Sequence, residues 1–140
     1  MPRALLDTDI LSEIFIGVDR RVMANAAAYV SLHQVLTFSS VTVYEIVTGL
    51  EKNQATAKLA RARQMLSRND EIVPESEDYL LAGRILGTLR RTGKEVGYSD
   101  PLIAACAIRR GYSVVTGNEK HFKFIHDAGF SLILQNWRNL

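Results

Sequence analysis

The chain has little of what usually staples a small protein or equips it with a ready-made reactive group. It carries one cysteine, Cys106, in 140 residues. That excludes an intramolecular disulfide and a Cys-based zinc site. The three histidines, His33, His121 and His126, do not form a metal-ligand spacing such as HExxH. Serines are plentiful, but no GxSxG elbow is present. No apolar run approaches the roughly 20 residues needed to span a bilayer. The N-terminus lacks the basic region and apolar core of a secretory signal. The expectation is a cytoplasmic protein with no membrane partner.

What is present suits one globular domain over residues 1–140. Apolar residues make up 47% and charged residues 23%, ordinary values for a chain with a real core. No repeat, low-complexity tract or linker interrupts it. The formal net charge is +2, weak evidence for a polyanionic partner. Its distribution says more: with Asp7, Asp9, Glu45 and Asp100 set aside, the rest carries a formal +6. Basic pairs recur at Arg20-Arg21, Arg90-Arg91 and Arg109-Arg110, with Arg61, Arg63, Lys120 and Lys123 between them. Solvated helix faces explain any one pair. An acidic pocket on a mildly basic surface suits a polyanion held through a cation.

Strand and helix patterns alternate along the chain. Short strands are expected at 4–6, 35–39, 71–73, 114–116 and 131–134, where apolar and β-branched residues cluster. Helices are expected at 9–16, 21–33, 43–52, 55–66, 75–91 and 101–110 from apolar spacing and stop signals such as Gly17 and Gly111. Residues 90–98 read as a loop and 119–126 as a short helical or irregular piece. This alternation implies an α/β protein whose largely parallel sheet is covered on both faces.

Three acids stand where a buried strand or loop becomes a helix: Asp7, Glu45 and Asp100. Each has a local explanation. Asp7 fits a turn or N-cap, Thr42-Val43-Tyr44-Glu45 matches a capping box, and Asp100-Pro101 reads as an N-cap followed by a first-turn proline. Capping does not explain why all three fall beside the ends of sheet elements. Converging carboxylates repel and drift toward protonation, and a divalent cation reverses that cost. Magnesium takes oxygen ligands, keeps several waters and is commonly held by one or two carboxylates plus phosphate.

Four stretches in order carry a family resemblance: Leu5-Leu6-Asp7-Thr8-Asp9-Ile10-Leu11-Ser12, Ser39-Ser40-Val41-Thr42-Val43-Tyr44-Glu45-Ile46, Ser99-Asp100-Pro101-Leu102-Ile103-Ala104-Ala105 and Val115-Thr116-Gly117-Asn118. They resemble the successive motifs of the PIN domain, and in order, spacing and length the VapC-type toxins of bacterial toxin–antitoxin pairs. The resemblance implies a three-layer α/β/α fold and a magnesium- or manganese-dependent endoribonuclease with Asp7, Glu45 and Asp100 as its acidic core. It also implies a homodimer silenced by a small VapB-like antitoxin that wraps the toxin and blocks the pocket.

The chain departs from that pattern twice. Asp9 stands where the family often has Asn, adding a charge near the metal. His121 stands where the last motif often carries a fourth acid. Asn118 or Glu119 is then a candidate ligand, with Thr116 and Asp9 in supporting positions, and manganese is expected to serve better than magnesium. Thr116 is expected to hydrogen-bond to a carboxylate. Two other functions fit parts of the sequence. Asp7-Thr8-Asp9 matches the start of haloacid-dehalogenase-like phosphatases, with Asp7 as nucleophile and Asp9 as acid/base. A non-catalytic PIN-like interaction module would keep the fold without turnover.

Overall fold

A computed structural model describes residues 1–139. In chain order the elements are β1 (Ala4–Leu6), α1 (Thr8–Ile16), α2 (Arg20–His33), β2 (Thr37–Ser39), α3 (Ser40–Lys52), α4 (Thr56–Ser67), β3 (Asp70–Ile72), α5 (Ser76–Arg91), α6 (Ser99–Arg110), β4 (Ser113–Val115), α7 (Glu119–Asp127) and β5 (Leu134–Gln135). All strand pairing is parallel: β1 with β4, β4 with β5, and β2 with β3. β1 and β2 lie side by side without a hydrogen-bonded ladder, so the sheets β1-β4-β5 and β2-β3 together give the lateral order β3-β2-β1-β4-β5.

Alternation along β1 and β4 divides the interior into two cores. Ala4, Leu6 and Val115 point to one face, where Ile10, Leu11, Val22, Ala26, Tyr29, Phe38, Ala62 and Trp137 pack. Leu5 and Val114 point to the other, against Ile85, Leu89, Ile103 to Ala107, Phe122 and Ile125. Successive strand residues face opposite ways, so three residues per strand suffice to build the expected three-layer α/β/α arrangement. α6 buries Pro101 and Ile103 to Ala107, as its nearly all-round apolar sequence requires.

The helices begin and end close to expectation, with instructive shifts. α1 and α6 close on left-handed glycines, Gly17 (φ 77°) and Gly111 (φ 70°), a conformation other residues adopt only at a cost. α3 starts at Ser40 and not at the expected capping box. Thr42 therefore lies inside the helix with its hydroxyl buried, 3.0 Å from the Thr8 hydroxyl. α6 starts at Ser99, so Asp100 is a first-turn residue and not the N-cap. Pro101 is tolerated there because the first amides of a helix have no partner within it. The last strand is β5, later than 131–134, because Thr116 donates its amide to the Gln135 carbonyl (2.9 Å).

The chain order places the site. It runs from β1 out through β2 to β3, then returns across α5 and α6 to β4 on the opposite side of β1. The order in which strands are added therefore reverses between β1 and β4. Beyond the carboxyl ends of those strands an open α/β sheet leaves a crevice for its ligand.

Candidate active site

Asp7 follows β1 directly and caps α1. Its Oδ1 accepts from the Thr8 amide (2.8 Å) and its Oδ2 from the Thr116 hydroxyl at the end of β4 (2.8 Å). Asp7 is only 6% exposed. Burial, then the nearby charges of Asp9 and Asp100, push it up to about 7, against the opposing bonds from Thr116 and the Thr8 amide. The ionised form of such a carboxyl is disfavoured, and a bound cation would favour it.

Asp100 enters from the first turn of α6. Its Oδ2 lies 2.9 Å from His121 Nδ1 and accepts from Asn118 Nδ2 at 3.4 Å. Asn118 in turn lies 3.2 Å from His121 Nδ1 and donates its own amide to the Thr116 hydroxyl (2.9 Å). Glu45 comes from α3. It reaches the centre through Thr8, whose hydroxyl donates to Glu45 Oε1 (2.7 Å) and meets Thr42. The structure thus links Asp7 to Asp100 through Thr116 and Asn118 and ties Glu45 to Asp7 through Thr8, the threonine between the two acids of the first motif. Among the described residues, no three Asp, Glu, His or Cys groups form a preformed metal cage. The donor set is hard oxygen, and magnesium needs only one or two carboxylates when waters and phosphate complete its shell, so these residues fit such an ion.

The supporting residues sort differently from one another. Thr116 makes the expected carboxylate bond. Asn118 faces Asp100, whereas the Glu119 carboxylate accepts from Asn136 Nδ2 (3.3 Å), away from the acids. Asp9 is fully engaged: Oδ1 accepts from the Ile10 amide (2.7 Å) and Oδ2 from the Gly117 amide (2.9 Å). Burial raises its pKa, against those two amide bonds and Arg138. A side chain held this way is a poor proton shuttle, and the phosphatase role suggested for Asp9 finds no support in it. The basic pair Arg109-Arg110 is spent internally on Asp78, at 2.8 Å each.

Sequence reasoning missed Thr8, Gly117, Glu13 and Arg138. Thr8 had a signal, since it lies inside the first motif. Arg138 had none.

Comparisons with known proteins identify the family. The PIN domain family matches residues 4–126. The chain belongs to the PIN-domain family. A tRNA(fMet)-specific endonuclease VapC of Shigella flexneri is 35% identical to this PIN domain over 89 residues, covering 63% of the chain and 67% of the relative. Ribonuclease VapC1 of Haemophilus influenzae (strain R2866) is 27% identical over 135 residues, covering 95% and 96%. Among solved structures, DNA-bound VapBC from Salmonella typhimurium superposes with a TM-score of 0.81 at 26% identity, covering 98% of this PIN domain and 99% of that chain. These relatives place it with the VapC-type toxins of toxin–antitoxin systems and leave neither the phosphatase nor the non-catalytic module with support.

Proposed function

We propose that this PIN domain is a divalent-metal-dependent endoribonuclease and the toxin of a toxin–antitoxin pair. The observation that carries the proposal is Asp7: a buried carboxyl crowded by Asp9 and Asp100, in a fold whose named relatives cleave RNA. Asp7 and Asp100 would hold magnesium or manganese, with Glu45 binding directly or through water. When bound, such an ion lowers the pKa of a coordinated water and offsets charge on the phosphoryl oxygen. The protein's own part is orientation. Thr116 and the Thr8 amide fix the two oxygens of Asp7, Thr8 aims Glu45, and Asn118 and His121 hold Asp100. An imidazole at position 121 favours manganese over magnesium. Asn118, facing Asp100, is the better placed of the two candidate extra ligands, Asn118 and Glu119.

An antitoxin would bind along the groove between α1, α3 and α4. This groove encloses about 430 Å³ and is lined by Phe15, Ile16, Ile46 and Leu50, with Lys58 and Arg61 also lining it; it reaches Thr8 and Glu45. A segment filling it would end at the acids. Self-association would use another surface, where the exposed Tyr44, Tyr79 and Tyr98 surround a cleft of about 330 Å³ with Val41, Pro74 and Leu102. Among the described residues no helix is long and apolar enough to cross a membrane, which accords with a cytoplasmic site of action.

The test is induction of the chain in bacteria beside an Asp7→Asn control, with cellular RNA mapped for new 5′ ends. Initiator tRNA is the first species to inspect. Growth arrest with discrete cuts in the parent alone is expected; identical RNA in both strains would overturn the proposal.

A further inference from the structure

One contact beside the acids has no part in the chemistry above. The segment around Trp137 is pinned against the site. Trp137 is fully buried, its carbonyl accepts from Asn25 Nδ2 (3.1 Å), and Arg21 Nη1 donates to the Arg138 carbonyl (3.4 Å). This directs the Arg138 side chain inward. Its Nε donates to Glu13 Oε1 (2.8 Å), its Nη2 contacts the same oxygen, and Nη2 lies 3.5 Å from Asp9 Oδ2. The head of Arg138 also lies hard against Gly117. A Cβ there would sit 1.9 Å from Arg138 Nη1 and 2.7 Å from Asp9 Oδ2. Glycine is required at 117 for this close approach, not for its backbone angles.

We propose that Arg138 is a positioning residue of the acidic site. Its guanidinium supplies the charge that lets a carboxylate stand at position 9, and it holds the loop that orients Asp7. The physical chain is short. Arg138 pairs with Asp9; Asp9 accepts from the Gly117 amide; the adjacent Thr116 donates to Asp7, and Asn118 to Asp100. Without the guanidinium, Asp9 and Glu13 face each other's charge beside Asp7. Asp9 then has reason to turn toward water and release Gly117. An amide at position 9 carries no charge to offset, and its one acceptor oxygen, turned toward Gly117, keeps that bond at the expense of the one from Ile10, so the acid at 9 and the arginine at 138 form one unit. The inference rests on the acidic site being the reactive one.

The experiment is a double-mutant cycle of the parent, Arg138→Gln, Asp9→Asn and the double variant. Three quantities are read: kcat and KM for RNA cleavage with manganese, the exchange rates of the Gly117 and Asn118 amides in metal-free protein, and thermal stability in chelator. Arg138→Gln should lower kcat by about tenfold, the lower end of what outer partners of metal ligands contribute, with KM little changed. The Gly117 amide should exchange faster. Adding Asp9→Asn should restore both. Gly117→Ala, whose Cβ displaces the Arg138 head and crowds Asp9 Oδ2, separates the pair and should reproduce the loss in kcat with the native side chains at 9 and 138. Parent-like kcat and exchange in Arg138→Gln would overturn the proposal. So would failure of Asp9→Asn to restore them, since Arg138 would then act only as an anchor on Glu13. If Arg138→Gln does not fold, Gly117→Ala decides, and parent-like kcat there overturns it. If no variant and not the parent cleaves RNA, the ribonuclease reading fails, while the amide-exchange cycle still decides for or against the clamp.

Discussion

Asp7 and Asp78 are both buried carboxylates at the start of a helix, and the protein treats them in opposite ways. Asp78, fully buried near the start of α5, accepts from Arg109 and Arg110 at 2.8 Å each and from the Glu75 amide at 2.8 Å. Burial alone would push its carboxyl up. The bonds from Arg110, the Glu75 amide and Arg109 outweigh that and hold it well below the usual range. Asp7 has acids, not arginines, for charged neighbours: burial and the charges of Asp9 and Asp100 push it up to about 7. One carboxylate is neutralised from within and ties α5 to α6. The other has only acids for charged neighbours, a cost that a bound cation would offset.

The comparison breaks most visibly at Asp78. Asp78→Ala leaves two partly buried arginines without their acid and removes a capping bond, and should cost about 3 to 5 kcal/mol of stability. Chemical denaturation measures it, and the residual folded protein should keep its specific activity.

Asp7→Asn should do the reverse. Cleavage should fall by at least about 100-fold, beyond what loss of a supporting partner costs, while metal-free protein becomes more stable. Asp100→Asn and Glu45→Gln should also abolish cleavage without unfolding. The pH dependence separates the two acids. Asp7 has a folded pKa above its unfolded value of 3.8, so the native state binds the extra proton. In chelator, stability should decline as pH rises from about 4 to about 7 and then level off. Asp7→Asn should flatten that decline. Asp78 is depressed, so its contribution is full above the ordinary Asp range and is lost as pH falls below it. A metal-free melting curve that rises between pH 5 and 8 would contradict the assignment to Asp7.

A smaller effect is expected one bond out. Thr116→Val removes the hydroxyl that donates to Asp7 and accepts from Asn118 and should lower kcat roughly tenfold, as steady-state kinetics would show. The smallest concerns metal choice. His121→Asp puts a hard oxygen donor beside Asp100 and should shift the preference from manganese toward magnesium by a few-fold. Equal magnesium dependence of cleavage in parent and variant, across a metal titration, would remove His121 from the site.

Much of this was legible along the chain. Strand and helix order came from apolar spacing, and Gly17 and Gly111 closed helices as such glycines should. Asp7, Glu45 and Asp100 stood out because each stands where a strand or loop becomes a helix, beside the expected end of a sheet element. The boundaries of α3 and α6 were misjudged because Ser-Ser-Val-Thr and Tyr-Ser-Asp-Pro each offer several acceptable first residues. Packing, which buries Thr42 against Thr8, chose among them. The segment after β5 carried no pattern, so Trp137 and Arg138 went unplaced.

By itself the sequence determined the alternating elements, the parallel sheet they imply and the three acids, because periodicity and local charge act over a few residues. Only the tertiary structure decided which charges meet. Arg109 and Arg110, which read as a surface basic pair, are spent on Asp78; Arg138 reaches Glu13 across 125 residues of sequence. Asp7 and Asp78 look alike to a local rule. Their opposite pKa shifts come from groups brought beside them by folding, and a Coulomb interaction depends on distance in space, not along the chain.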